Sequence, residues 1–120
     1  MTKNQPFLAR LHFALAGLGH AVRVERSLRI QVGVFVLVLV AMWILQPGPF
    51  WWALVLLASA GVLAAELLNT AVEHLADHLH PEIHPSIRIV KDCAAAAVLV
   101  AVLGAIAVGV ALAVHVLLKK

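Results

Sequence analysis

The chain has 120 residues, of which 63% are hydrophobic and 12% charged, with a formal net charge of +3 and a mean hydropathy of +1.01. Soluble domains average roughly 45–50% apolar and about 25% charged residues, so this composition predicts a single integral membrane domain over residues 1–120. The basic residues are not interleaved with aromatics, which argues against nucleic-acid binding, and the lone Cys93 excludes an internal disulfide or a CxxC site.

Residues 1–5 are polar. From about 6 to 24, Phe7, Leu8, Leu11, Leu15, Leu18 and Val22 recur at helical spacing, with Lys3, Arg10, His12, His20 and Arg23 beside them. This basic amphipathic pattern predicts a helix in the membrane interface, with a plain lead-in to the first span as the alternative. The charged residues also break any continuous apolar stretch of the kind a signal peptide needs.

Glu25-Arg-Ser-Leu-Arg29 forms a charged collar. Ile30 to Ala65 then contains 36 residues without Lys, Arg, Asp, Glu or His. That is too long for one span of roughly 20 residues. Gln46-Pro-Gly-Pro49 breaks it with turn chemistry, and Trp43, Phe50, Trp51 and Trp52 flank the break as an aromatic belt. Spans are therefore expected at about 28–45 and 50–76. A connection at about His78–Arg88 holds Pro81 and Pro85, and Lys91-Asp92 opens a third span at about 92–118. Ala94 to Ala97, Ala101, Gly104, Ala105 and Gly109 give that span a close-packing surface.

Five Lys/Arg precede residue 30, none lies in the first hairpin, and Arg88 and Lys91 lie in the second connection. The positive-inside rule then places the N-terminus and the second connection in the cytoplasm.

The polar exception is Glu66-Leu-Leu-Asn-Thr-Ala-Val-Glu-His-Leu-Ala-Asp77. Asn69, Thr70, Glu73 and Asp77 follow Glu66 at spacings of 3, 4, 7 and 11, one face of a helix. An ionisable residue within a span is a functional candidate by default. With Glu25, Glu82, Asp92 and Lys91 at the same membrane face, the cluster suits a magnesium–nucleotide site. Mg²⁺ is commonly held by one or two carboxylates plus substrate phosphates. Glu66 is deepest and suited to meet a lipid hydroxyl, because desolvation strengthens a carboxylate as a proton acceptor. Glu73 is nearer the metal, and Asn69 lies between them. Asn69 and Thr70 also suit interhelical hydrogen bonding, and Glu73 and Asp77 a solvated helix end. His78, His80 and His84 could bind a transition metal, although their Pro-broken spacing reads better as a headgroup-level loop. An intramembrane carboxylate ladder also suits a proton or ion transporter, but no acid continues it through residues 30–65. There is no GxxxxGK[ST] phosphate loop.

The run E-x-x-N-T-A-x-E-x-x-x-D at 66–77, Glu82-Ile-His84, Lys91-Asp-x-Ala-Ala-x-Ala-Val98 and Gly17 followed by Glu25 resemble the prokaryotic diacylglycerol kinase family over about residues 13–110. The resemblance implies an all-α, three-span homotrimer with an N-terminal surface helix and active sites shared between protomers. It would reside in the bacterial inner membrane and transfer the ATP γ-phosphoryl group to a lipid hydroxyl with Mg²⁺. Carried over by position, it makes Glu66 the catalytic base and Glu25 and Glu73 the metal carboxylates. Arg10, Phe13, Glu25, Glu73, Asp77, Glu82, His84, Lys91 and Asp92 become nucleotide-binding positions, and Asn69 supports the site. Phe13 stands where the family has a tyrosine, Ala95 where some members have serine, and Arg10 fits the family's N-terminal arginine only with a small shift. Glu25-Arg-Ser-Leu-Arg-Ile-Gln31 also resembles the undecaprenol kinase branch. Diacylglycerol is the first expectation for the acceptor and undecaprenol the alternative.

Overall fold

A computed structural model describes residues 4–82 and 84–119. Those residues form four helices and no strand: α1 Phe7–Val24, α2 Arg26–Leu45, α3 Pro49–Leu79 and α4 Pro85–Leu118. Of the polar N-terminal segment, residues 1–3 lie outside the described residues.

Only Glu25 separates α1 from α2. Its backbone is extended (φ −105°, ψ 110°), and its N–H donates to the Ala21 carbonyl at 2.8 Å. Arg29 covers the carbonyls left open at the end of α1, donating to those of Val22 (3.1 Å) and Arg23 (2.7 Å). At its other end α2 stops at Gln46, which adopts the left-handed conformation (φ 45°). The Gln46 side chain folds back to donate to the Trp43 carbonyl at 2.9 Å. Gly48 follows at φ 112°, and Pro49 occupies the first turn of α3, where its missing N–H costs nothing.

The same rule for proline corrects the second connection. The sequence places it at His78–Arg88, but the helices leave only residues 80–84 between them. Pro85 starts α4 rather than interrupting it, and the His84 Nδ1 accepts from the Ser86 N–H at 3.1 Å. Lys91 and Asp92 therefore lie in the second turn of α4, and α3 continues to Leu79, so both helices extend past the expected spans at 92–118 and 50–76.

With a mean hydropathy of 2.4, 1.9 and 2.8 over their most apolar windows, α2, α3 and α4 are each long and apolar enough to cross a bilayer. At 31 and 34 residues, α3 and α4 are about 46 and 51 Å long, well beyond a hydrocarbon core of about 30 Å. α3 is central, packing most extensively on α4 and also on α2 and α1. The bundle is thin, 56 × 38 × 23 Å. Five of the eight buried residues among those described lie on α3 (Val55, Val62, Glu66, Thr70 and Ala76), with Leu28 and Met42 from α2 and Ala21 from α1. Val55, Val62, Glu66 and Thr70 share one stripe, apolar in the half nearest the Pro-Gly-Pro turn and polar in the other.

Candidate functional site

The site is built on the polar half of α3. Glu66 is only 4% exposed and Thr70 6%, so both sit on the inward stripe. Measured along the axis from Phe50 in the aromatic belt, Glu66 lies about 24 Å away, Glu73 about 35 Å and Asp77 about 41 Å. Counted from Phe50 along a helix parallel to the bilayer normal, a core of about 30 Å would end between Glu66 and Glu73, with Asp77 beyond it.

Each of these acids has one partner. The Ser27 hydroxyl, from the first turn of α2, donates to Glu66 Oε1 at 2.9 Å. Asn69 Nδ2 donates to Glu73 Oε1 at 3.1 Å, one turn along the same helix. Lys91 of α4 forms an ion pair with Asp77, both side chains partly open to solvent. The Asn69 Oδ1 is buried without a hydrogen-bond partner among the described residues. An orphaned buried acceptor of this kind calls for a ligand or a donor to satisfy it.

Beside the Asp77–Lys91 pair, a pocket of about 230 Å³ is lined by His80, Glu82, His84, Arg88 and Lys91 with Pro81 and Ile87. Three of the expected nucleotide positions, Glu82, His84 and Lys91, thus share one hollow. The His80 and His84 rings face each other there at 6.0 Å. A second cavity, about 350 Å³ and almost wholly apolar, lies between α2, α3 and α4. It runs from Gln31 and Val62, each about one turn from Ser27 and Glu66, down to Leu45, Val55 and Leu112 near the opposite end.

Other expected positions stand apart. Arg10 and Phe13 are exposed on α1, and the Phe13 ring lies edge-on to that of His12 at 6.2 Å. Glu25 is half-buried at the α1–α2 joint and Asp92 is exposed on α4. Neither forms a side-chain hydrogen bond or ion pair among the described residues. Two ring contacts involving other histidines cross between helices. His20 of α1 lies 6.0 Å from His74 of α3, and His115 of α4 lies 5.2 Å from Trp51.

Sequence reasoning missed Ser27 and gave Arg88 only a topological role. Ser27 is the only hydroxyl in α2, which is the signal that would have singled it out.

A buried carboxylate at one end of a polar stripe, on a bundle with three helices long and apolar enough to cross a bilayer, marks a multi-pass membrane protein. The comparisons then place it. The chain belongs to the prokaryotic diacylglycerol kinase family, whose model matches residues 12–113. It is 37% identical over 103 residues to a diacylglycerol kinase of Synechocystis sp., covering 85% of this chain and 59% of that protein. It is 30% identical over 97 residues to an undecaprenol kinase of Bacillus subtilis, covering 81% of this chain and 78% of that protein. The chain thus spans about three fifths of the cyanobacterial relative's length.

Proposed function

We propose that this chain is one lipid-kinase domain that phosphorylates a membrane lipid hydroxyl with ATP, diacylglycerol ahead of undecaprenol. The observation that carries the reading is the buried Glu66 at the edge of the apolar layer, with polar groups leading from it to the pocket beside Lys91. A lipid hydroxyl reaches Glu66 from the membrane, and nucleotide phosphates reach Lys91 from water. The apolar cavity that ends one turn from Glu66 suits the hydrocarbon chain of the acceptor, which would hold the headgroup beside the carboxylate.

In this mechanism Glu66 takes the proton of the attacking hydroxyl. Lys91 and Arg88 hold phosphate charge, and Asp77 orients Lys91. Glu82, His84 and Asp92 complete the nucleotide site, with Arg10 and Phe13 brought in from α1. Transfer is direct and in line, so the protein's part is positioning and charge stabilisation.

The donor set fits Mg²⁺. Glu25 and Glu73 supply hard carboxylate oxygens, and Asn69 Oδ1 is an unpaired acceptor beside Glu73. Among the described residues no three His, Cys, Asp or Glu side chains gather as a cage, so phosphate and water would complete the coordination. When bound, the ion neutralises phosphate charge.

The working assembly is a homotrimer in the bacterial inner membrane with a cytoplasmic N-terminus and α1 at the membrane surface. None of α4 is buried, so its Ala- and Gly-rich surface is available for a neighbouring copy to pack against.

The test is the purified chain with labelled ATP, offered diacylglycerol and undecaprenol in parallel. Label should enter diacylglycerol. Entry into undecaprenol alone would reassign the acceptor, and label in neither would overturn the kinase reading.

A further inference from the structure

Ser27 contacts Glu66 from a different helix and lies outside the polar stripe of α3. Its hydroxyl bonds a carboxylate 39 residues away, while most of its surroundings are open. A serine within a helix often turns its hydroxyl back onto the carbonyl of the preceding turn. Here it reaches across to α3 instead. The adjacent Leu28 is fully buried, which fixes the rotation of this first turn of α2 against the bundle.

The bond distinguishes the two oxygens of Glu66. A hydroxyl can donate only one proton, and Oε1 receives it at 2.9 Å. No hydrogen bond from the described residues reaches Oε2. A glutamate side chain has three rotatable bonds, and a carboxylate free to sample them spends little time aligned with a substrate.

We propose that Ser27 is a positioning residue of the reaction: by holding Oε1 of Glu66 from α2, it directs Oε2 toward the lipid hydroxyl. This rests on the reading of Glu66 as the base. The acceptor O–H proton passes to Oε2, and the oxygen lone pair forms the new bond to the γ-phosphorus of ATP. The bond from that phosphorus to the β–γ bridging oxygen breaks, and its electron pair leaves with ADP. Ser27 gains and loses nothing; it holds the acceptor of the proton in line.

A hydroxyl serving only as interhelical adhesive would affect stability, not turnover. The full-length chain in detergent–lipid micelles is therefore compared as wild type, Ser27→Ala, Ser27→Thr and Glu66→Gln. The assay uses whichever of diacylglycerol and undecaprenol the wild type phosphorylates. Ser27→Ala should lower kcat at least about tenfold, the lower end of what a hydrogen bond to a charged group contributes. KM for ATP and for lipid should stay within about twofold, because neither substrate touches the hydroxyl. Ser27→Thr, which keeps the donor, should recover most of the loss. In a Glu66→Gln background, Ser27→Ala should cost nothing further, since the two act as one unit.

Unchanged kcat in Ser27→Ala beside an inactive Glu66→Gln would overturn the role of Ser27 and leave the base assignment standing. A threonine variant as slow as the alanine one would also overturn it. An active Glu66→Gln would overturn the base reading, and this proposal with it.

Discussion

Lys91 is where the proposed role in nucleotide binding can be separated from a role in holding the fold. Its ammonium pairs with Asp77, but the two side chains are 38% and 62% exposed. An ion pair that open to water contributes below about 1 kcal/mol to stability. The same ammonium lines the pocket proposed for phosphates, where a charge-assisted bond is worth about 1.5–3 kcal/mol. Lys91→Ala should therefore raise KM for ATP by about ten- to a hundredfold, with KM for lipid unchanged. The thermal midpoint should fall by less than about 5 °C. If Asp77 works by orienting Lys91, Asp77→Asn should cost less than about fivefold in KM for ATP, the equivalent of 1 kcal/mol. Adding it to Lys91→Ala should cost nothing more. Initial rates over an ATP titration, with lipid held at saturation, measure all three variants. The reasoning fails if Lys91→Ala leaves KM for ATP within twofold, or if Asp77→Asn proves as damaging as Lys91→Ala.

Glu66→Gln should lose about 10²–10⁴ in turnover while still binding ATP; measured nucleotide affinity lost along with activity would contradict this. Asn69→Ala removes the donor to Glu73 and should raise the Mg²⁺ needed for half-maximal rate by about tenfold or more, with much of the rate regained at high Mg²⁺. A metal titration that superimposes on the wild type would argue against it. Gly48→Ala adds a Cβ that meets no atom within 4 Å, so its cost is purely that of the backbone at φ 112°, about 1–3 kcal/mol. Thermal unfolding in detergent checks this, and an unshifted midpoint would count against the turn geometry.

The parts of the fold legible in the sequence were those set by solvent. Thirty-six uncharged residues broken at Gln46-Pro-Gly-Pro49 admit little but a helical hairpin, because lipid offers the backbone no hydrogen-bond partner. Glu66 stood out for the same reason. Proline was the ambiguous signal: Pro85 reads equally as a loop residue or as the first turn of a helix, and only the packed structure decides. Within the site, the α3 spacing put Asn69 beside Glu73, since both lie on one helix. Ser27 with Glu66, and the Arg29 clasp on α1, depend on how separate helices meet, which no local pattern encodes. Arg10 and Phe13 owe their proposed roles to the resemblance alone, and α1 leaves them apart from the pocket within this chain; Glu25 and Asp92 were legible as acids at the same membrane face, but not their partners.

The single residue between α1 and α2 has a mechanical consequence. With Glu25 as the whole joint, and Arg29 tying the end of one helix to the start of the next, the chain has no slack there. One inserted residue would rotate the start of α2 by about 100° relative to α1. On the proposed reading of α1 as a surface helix and Glu66 as the base, a change in the tilt of α1 would be felt, through this joint, at the turn that carries Ser27.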